Sequence, residues 1–135
     1  MNRNLKAREI MNPNPVTVSP NNSLVEAIKL LIDRRISGLP VIDEERRLVG
    51  MVSEKDVLRL LYDDSRGHWL VGDLMVTELR SFQADDDLAD VCDCLMANHF
   101  RRVPILEGER LVGLISRADL MPTILELASE QVRED

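Results

Sequence analysis

Apolar residues recur along this chain in one pattern that occurs twice. Leu24, Ala27, Ile28, Leu31 and Ile32 fall three and four positions apart, the spacing of one helical face. Ser23, with Glu26 three residues on, is a capping-box signature at the start of that helix, and Gly38 closes the helical region. Two runs of strand length follow, Leu39-Pro40-Val41-Ile42 and Leu48-Val49-Gly50-Met51-Val52. The charged residues 43–47 separate them, which predicts a hairpin. Ser53 then caps a helix carrying Val57, Leu58, Leu60 and Leu61. In the second half, a helix from Asp87 presents Leu88, Val91, Leu95 and Met96. A hairpin spans 103–106 and 111–115, and Ser116 caps a last helix that Pro122 interrupts or restarts. Residues 123–135 read as helix with a frayed end. Short strands at Val16-Thr17-Val18 and near residues 79–82 precede the two main helices. Pro13 and Pro15 impose an extended path before the first of them.

The duplication is explicit in residues. Gly50-Met51-Val52-Ser53-Glu54-Lys55-Asp56 returns as Gly113-Leu114-Ile115-Ser116-Arg117-Ala118-Asp119, a step of 63, while Leu24 returns as Leu88 after a step of 64. Such a unit is too small to bury its apolar face alone, so two of them must pack together and create two equivalent clefts. The expected boundaries are residues 1–62 for the first repeat with its lead-in, 63–71 for a linker, 72–126 for the second repeat and 127–135 for a tail.

Composition narrows the function. The chain has 135 residues, 44% of them apolar and 30% charged, as in an ordinary globular protein. With only four aromatic residues (Tyr62, Trp69, Phe82 and Phe100), the core is expected to be Leu, Ile, Val and Met. A net charge of −7 argues against nonspecific nucleic-acid binding but leaves room for a small anionic ligand held by a local Arg cluster. No apolar run approaches the roughly 20 residues that span a bilayer, and the first residues lack a signal-peptide stretch, so a cytoplasmic protein is expected. Cys92 and Cys94 read as structural, Trp69 as a packing anchor at the junction, and His68 and His99 as non-ligands. Arg34 and Arg35 read as helix-end charges. No metal cluster, nucleophile–base pair or phosphate-cradling glycine loop is visible, so an enzyme is not expected.

Several ordered elements now carry a resemblance: Val16-Thr17-Val18-Ser19-Pro20, the capped helix, Gly38-Leu39-Pro40-Val41-Ile42-Asp43, and the run from Leu48 to Asp56, all duplicated. Residues 8–62 and 72–126 resemble the CBS domain family, named after the regulatory region of cystathionine beta-synthase. The resemblance implies an α/β fold of the α+β type, two pseudo-twofold-related β-α-β-β-α repeats packed as a tandem pair. It also implies a homodimer, and clefts that bind an adenosine-containing ligand: AMP, ADP, ATP (with Mg²⁺ possible) or S-adenosylmethionine.

By that resemblance, Ser53-x-x-Asp56 and Ser116-x-x-Asp119 are the ribose–phosphate motif. An acceptor-only carboxylate suits a diol, and a helix N-terminus favours an anion. The same spacing is also a plain helix cap, and the two roles are compatible. Arg101 and Arg102 form a candidate phosphate clamp, absent at the equivalent Ser37 and Gly38. Met11, Asn14 and Val16 are expected to face Ser116 and Asp119. Met75, Glu78 and Arg80 are expected to face Ser53 and Asp56, where Glu78 would repel a phosphate. The Ser116 cleft is therefore the better nucleotide site. The implied function is a regulatory sensor that signals to an unidentified partner in trans by population shift. The alternative is a ligand-independent dimerisation or interaction scaffold.

Overall fold

The computed structural model describes residues 4–62, 68–97 and 100–134. In chain order the elements are α1 (Ala7–Ile10), α2 (Leu24–Arg34), β1 (Gly38–Ile42), β2 (Leu48–Ser53) and α3 (Glu54–Val57), which passes into a 3-10 turn over Leu58–Tyr62. Then come α4 (Val71–Leu74), β3 (Phe82–Gln83), α5 (Leu88–Ala97), β4 (Arg102–Glu107), β5 (Arg110–Ser116) and α6 (Arg117–Glu134).

The chain divides into two compact units that do not follow the order of the repeats. One gathers the described residues of 1–14, 81–107 and 112–135, and is called here the Ser116 unit. The other, the Ser53 unit, gathers those of 15–80 and 108–111. The lead-in of the first repeat is thus built into the body of the second, and residues 69–76 into the body of the first.

The Ser116 unit holds the three-stranded sheet β3-β4-β5, with β3 parallel to β4. Its core includes Ala7, Leu88, Val91, Cys94, Leu95, Val103, Ile105 and Ile115. The Ser53 unit holds the β1–β2 hairpin, in which Gly38 is paired with Ser53 and a register shift follows Val41. Its core includes Leu24, Ala27, Leu31, Leu39, Val41, Val52, Val71 and Leu74.

Five local expectations are corrected, the last of them the end of α2. The strand expected at 16–18 is reduced to a single parallel bridge, Val18 to Val41, because only Val18 reaches the β1 backbone. The apolar stripes of α2 and α5 are narrower than their spacing suggested. Ile32 and Met96 are 68% and 76% exposed. Each stands eight residues after the first buried leucine, about 80° round the helix at 100° per residue. Pro122 neither breaks nor restarts α6, which runs through it from Arg117. A proline at this position forfeits the bond its missing N–H would have donated and crowds the Ala118 carbonyl, a cost the helix absorbs. Methionine contributes no fully buried side chain among the described residues; Leu, Val, Ile and Ala fill both cores, with Cys94.

α2 ends on Arg35 rather than near Gly38. Arg35 adopts the left-handed conformation (φ 53°), and its N–H bonds back to the Ile32 and Leu31 carbonyls. Arg34 lies in the last helical turn, where a cation suits the dipole. Ser23 caps α2 as expected: its hydroxyl oxygen accepts the Glu26 N–H at 3.1 Å.

Candidate functional site

Each Ser-x-x-Asp stands where a hairpin strand turns directly into a helix. At the end of β5, the Ser116 N–H and hydroxyl both donate to Asp119 Oδ2, at 2.7 and 3.0 Å. The Asp119 N–H returns a bond to Ser116 Oγ at 3.3 Å. At the end of β2, Ser53 makes the same two bonds to Asp56 Oδ2, at 2.8 and 3.0 Å. The motif is therefore a reciprocal helix cap in both units. Only one carboxylate oxygen is spent on it. Among the described residues, Oδ1 of neither aspartate accepts a hydrogen bond, so each turn keeps an acceptor for an incoming hydroxyl.

The two turns are not equally open. Asp56 is buried, whereas Asp119 is half-buried. Behind Ser53 the α-helix lasts a single turn; behind Ser116 it runs 18 residues.

The glycine that opens each motif has its own role. A Cβ on Gly113 would stand 2.5 Å from Met11 Sδ and 2.9 Å from the Asn12 carbonyl oxygen. A Cβ on Gly50 would stand 2.7 Å from Met75 Sδ and 3.1 Å from the Val76 carbonyl oxygen. Asn12 is bridged to Leu114 and Val76 to Met51 by paired backbone bonds of 2.8–3.1 Å. Met11 therefore lies over the strand that leads into Ser116, and Met75 over the strand that leads into Ser53. Spacing alone did not reveal this use of Gly50 and Gly113, because the residues that crowd them are remote in sequence.

Of the candidate ligand residues, Met11, Asn14, Arg101, Arg102, Ser116 and Asp119 belong to the Ser116 unit. Asn14 and Arg101 are exposed, while Met11 and Arg102 are half-buried. Arg102 stands at the repeat position of Gly38, whose backbone is paired with Ser53. Val16, Arg80, Ser53 and Asp56 belong to the Ser53 unit, together with Met75 and Glu78. Val16 is half-buried; Glu78 and Arg80 are exposed.

The remaining polar candidates resolve simply. His68 is exposed, and His99 lies outside the described residues. Among the described residues no group of three His, Cys, Asp or Glu side chains could hold a metal ion. Cys94 is buried in the core, and burial pushes the Cys92 thiol up, away from reactive thiolate. Trp69 packs against the core of the Ser53 unit, with its buried Nε1 unpartnered among the described residues. No helix of the described residues is long and apolar enough to cross a membrane.

The family model for the CBS domain matches residues 7–63 and again 71–126. This chain belongs to the CBS domain family. It is 32% identical over 114 residues to the CBS domain-containing protein YhcV of Bacillus subtilis, covering 84% of this chain and 81% of that one. CBSX2 of Arabidopsis thaliana has been solved as a CBS-pair protein, at 27% identity and a TM-score of 0.85, covering 94% of this chain and 99% of that one. CBSX2 has also been solved in complex with AMP, at 30% identity and a TM-score of 0.82, with coverage of 91% and 98%. The CBS domain pair of protein MJ0100, solved with 5′-methylthioadenosine and S-adenosyl-L-methionine, shares the fold at 24% identity and a TM-score of 0.78, with coverage of 90% and 97%. The chain spans 42% and 23% of the length of two longer curated relatives from Methanocaldococcus jannaschii.

Proposed function

We propose that this protein is a regulatory module that binds an adenosine-containing ligand at the Ser116–Asp119 turn and signals to another protein in trans. One observation carries the reading: Asp119 caps its helix through Oδ2 and keeps Oδ1 for a donor, in a chain 30% identical to a CBS pair solved with AMP. A ribose diol supplies such donors. Arg101 and Arg102, at the entry of β4 in the same unit, are the phosphate contacts, and Met11 and Asn14 come from the N-terminal segment built into that unit. The Ser53–Asp56 turn is the weaker site, with Glu78 in its unit and no arginine at 37 or 38. The module does no chemistry of its own and works in the cytoplasm. Ligand binding shifts a conformational population, and the partner reads the shift.

A thermal-shift panel of AMP, ADP, ATP, S-adenosylmethionine, NAD and GTP, with and without Mg²⁺, tests this. A ligand at 100 times its Kd stabilises the chain by roughly 2.7 kcal/mol, several degrees in Tm at this size. The ligand-induced shift is expected to disappear in Asp119→Ala. A flat panel at millimolar concentration sinks the reading.

A second reading, the ligand-independent scaffold, has its own support. Leu58, Leu61 and Tyr62 are exposed by 57%, 68% and 91%, and their counterparts 63 positions on, Met121, Ile124 and Leu125, by 53%, 50% and 68%. A repeated apolar face of this kind suits a homodimer. Sedimentation of the wild type against Leu61→Glu and Ile124→Glu tests assembly independently of ligand. A monomeric wild type removes the dimer from both readings.

A further inference from the structure

Both units contain a docked lead-in, residues 5–12 in the Ser116 unit and residues 69–76 in the Ser53 unit, and the backbone pattern is the same in each. The Leu88 N–H donates to the Leu5 carbonyl at 2.8 Å, as the Leu24 N–H donates to Trp69 at 2.9 Å. The Ala7 N–H donates to Asp86, and the Val71 N–H to Asn22, both at 2.9 Å. The Asn12–Leu114 and Val76–Met51 bridges close the two docks.

The side chains differ. Lys6 Nζ lies 2.6 Å from Asp87 Oδ1, and the Arg8 guanidinium reaches Asp85 at 2.9 Å and Glu107 at 3.1 Å. On the other segment the repeat counterparts of Lys6 and Arg8 are Leu70 and Gly72, and the counterparts of Asp85, Asp87 and Glu107 are Asn21, Ser23 and Asp43. Asp43 bonds instead to Arg47 of its own hairpin, at 2.7 Å. Of these three acidic positions, those of Asp85 and Asp87 are acidic only on the body that receives the basic lead-in, and the third is engaged within its own hairpin on the other.

We propose that Lys6 and Arg8 are positioning residues for the Ser116 site. Through Asp87, Asp85 and Glu107 they hold residues 5–12 in register on the second body, and so fix Met11 over Gly113, three residues before Ser116. The effect on affinity rests on the reading of the Ser116–Asp119 turn as an adenosine-ligand site. The effect on docking does not. Single exposed ion pairs contribute little, but here three converge on one short segment, and salt screens them. Residues 69–76 bury Val71 and Leu74 and carry Leu70 and Gly72 where the ion-pairing residues stand, so their docking is expected to be insensitive to salt.

The experiment is amide hydrogen exchange on the full chain, read at Asn12 and Leu114, with Met51 and Val76 as internal controls. In Lys6→Ala/Arg8→Ala, exchange at Asn12 and Leu114 is expected to rise about three- to tenfold, with the controls unchanged. Exchanging the charges in Lys6→Asp/Asp87→Lys is expected to bring exchange back toward wild type from the level of Lys6→Asp alone. AMP is the ligand probe, and its Kd is expected to weaken by a similar factor in the double alanine variant. Unchanged exchange at Asn12 and Leu114, or the same rise at Met51 and Val76, overturns the positioning role. Faster exchange with an unchanged AMP Kd overturns its link to the site. If AMP fails to bind the wild-type chain, the affinity link falls with the site reading, and exchange alone then decides the docking role.

Discussion

The two docked lead-in segments make the most instructive comparison in the molecule. Residues 5–12 and 69–76 bond to their respective bodies at equivalent backbone positions, and each lays a methionine over a glycine. Those shared features are what docking requires. Around them the chemistry diverges: Lys6 and Arg8 on one segment form ion pairs, while Leu70 and Gly72 on the other have no charge to offer. Asp43 and Glu107 show the same divergence on the bodies. They are repeat counterparts, yet Asp43 binds Arg47 within its own hairpin and Glu107 binds the lead-in's Arg8. The backbone geometry is shared and the side chains at the rim differ, so the two docks are expected to respond differently to salt.

The largest expected effect breaks what the docks share. Gly113→Ala is expected to cost about 1–3 kcal/mol in urea denaturation, because the new methyl would overlap Met11 and the Asn12 carbonyl. Gly50→Ala is expected to cost less, since its nearest backbone atom is 3.1 Å away rather than 2.9 Å. Met11→Ala should restore only part of the Gly113→Ala loss, because the carbonyl stays in place. Equal losses at the two glycines would mean that the docks are equally tight.

Next come the caps. Asp56→Ala and Asp119→Ala are each expected to lower unliganded stability by about 1 kcal/mol, measured by denaturant midpoint. Only Asp119→Ala is expected to abolish the ligand-induced Tm shift. Loss of that shift in Asp56→Ala alone would move the site to the other unit.

Salt and pH sharpen the comparison with smaller effects. Raising NaCl from 0.05 to 1 M is expected to speed exchange at Asn12 by about two- to fivefold and to leave Val76 unchanged. The hydrogen-bonded Arg47 guanidinium holds the Asp43 carboxyl below its ordinary 3.8. A depressed carboxyl contributes stability above its unfolded value and loses it as pH falls through the folded one. The first hairpin is therefore expected to keep this pair down to pH 3.8 and lose it below. Carbon-detected NMR titration should find the Asp43 value rising in Arg47→Ala. Lys6 has the opposite sign: its bond to Asp87 raises it above 10.5, so on the alkaline side the pair persists beyond neutral pH and is lost as pH rises past that value.

Much of the local structure was legible in the residues. The capped helices, both hairpins and the two Ser-x-x-Asp turns follow from spacing and turn chemistry, which act within a few positions. The expectations that failed are those that depend on what lies opposite. Ile32 and Met96 have core-like spacing, yet each stands at the edge of a stripe whose width the neighbouring elements set. Val16 has strand chemistry, but only Val18 finds a partner strand.

The sequence by itself therefore determined the duplicated units, their helices and hairpins, and the family to which they belong, because periodicity and caps are local. Tertiary structure decided which body each lead-in joins. Lys6 and Asp87 are 81 positions apart, Arg8 and Glu107 99, and no local pattern links them. Nor does any mark Gly113 as the residue that must stay bare beneath Met11. Such contacts depend on shape and charge meeting across the fold, and a chain acquires them only when both surfaces have formed.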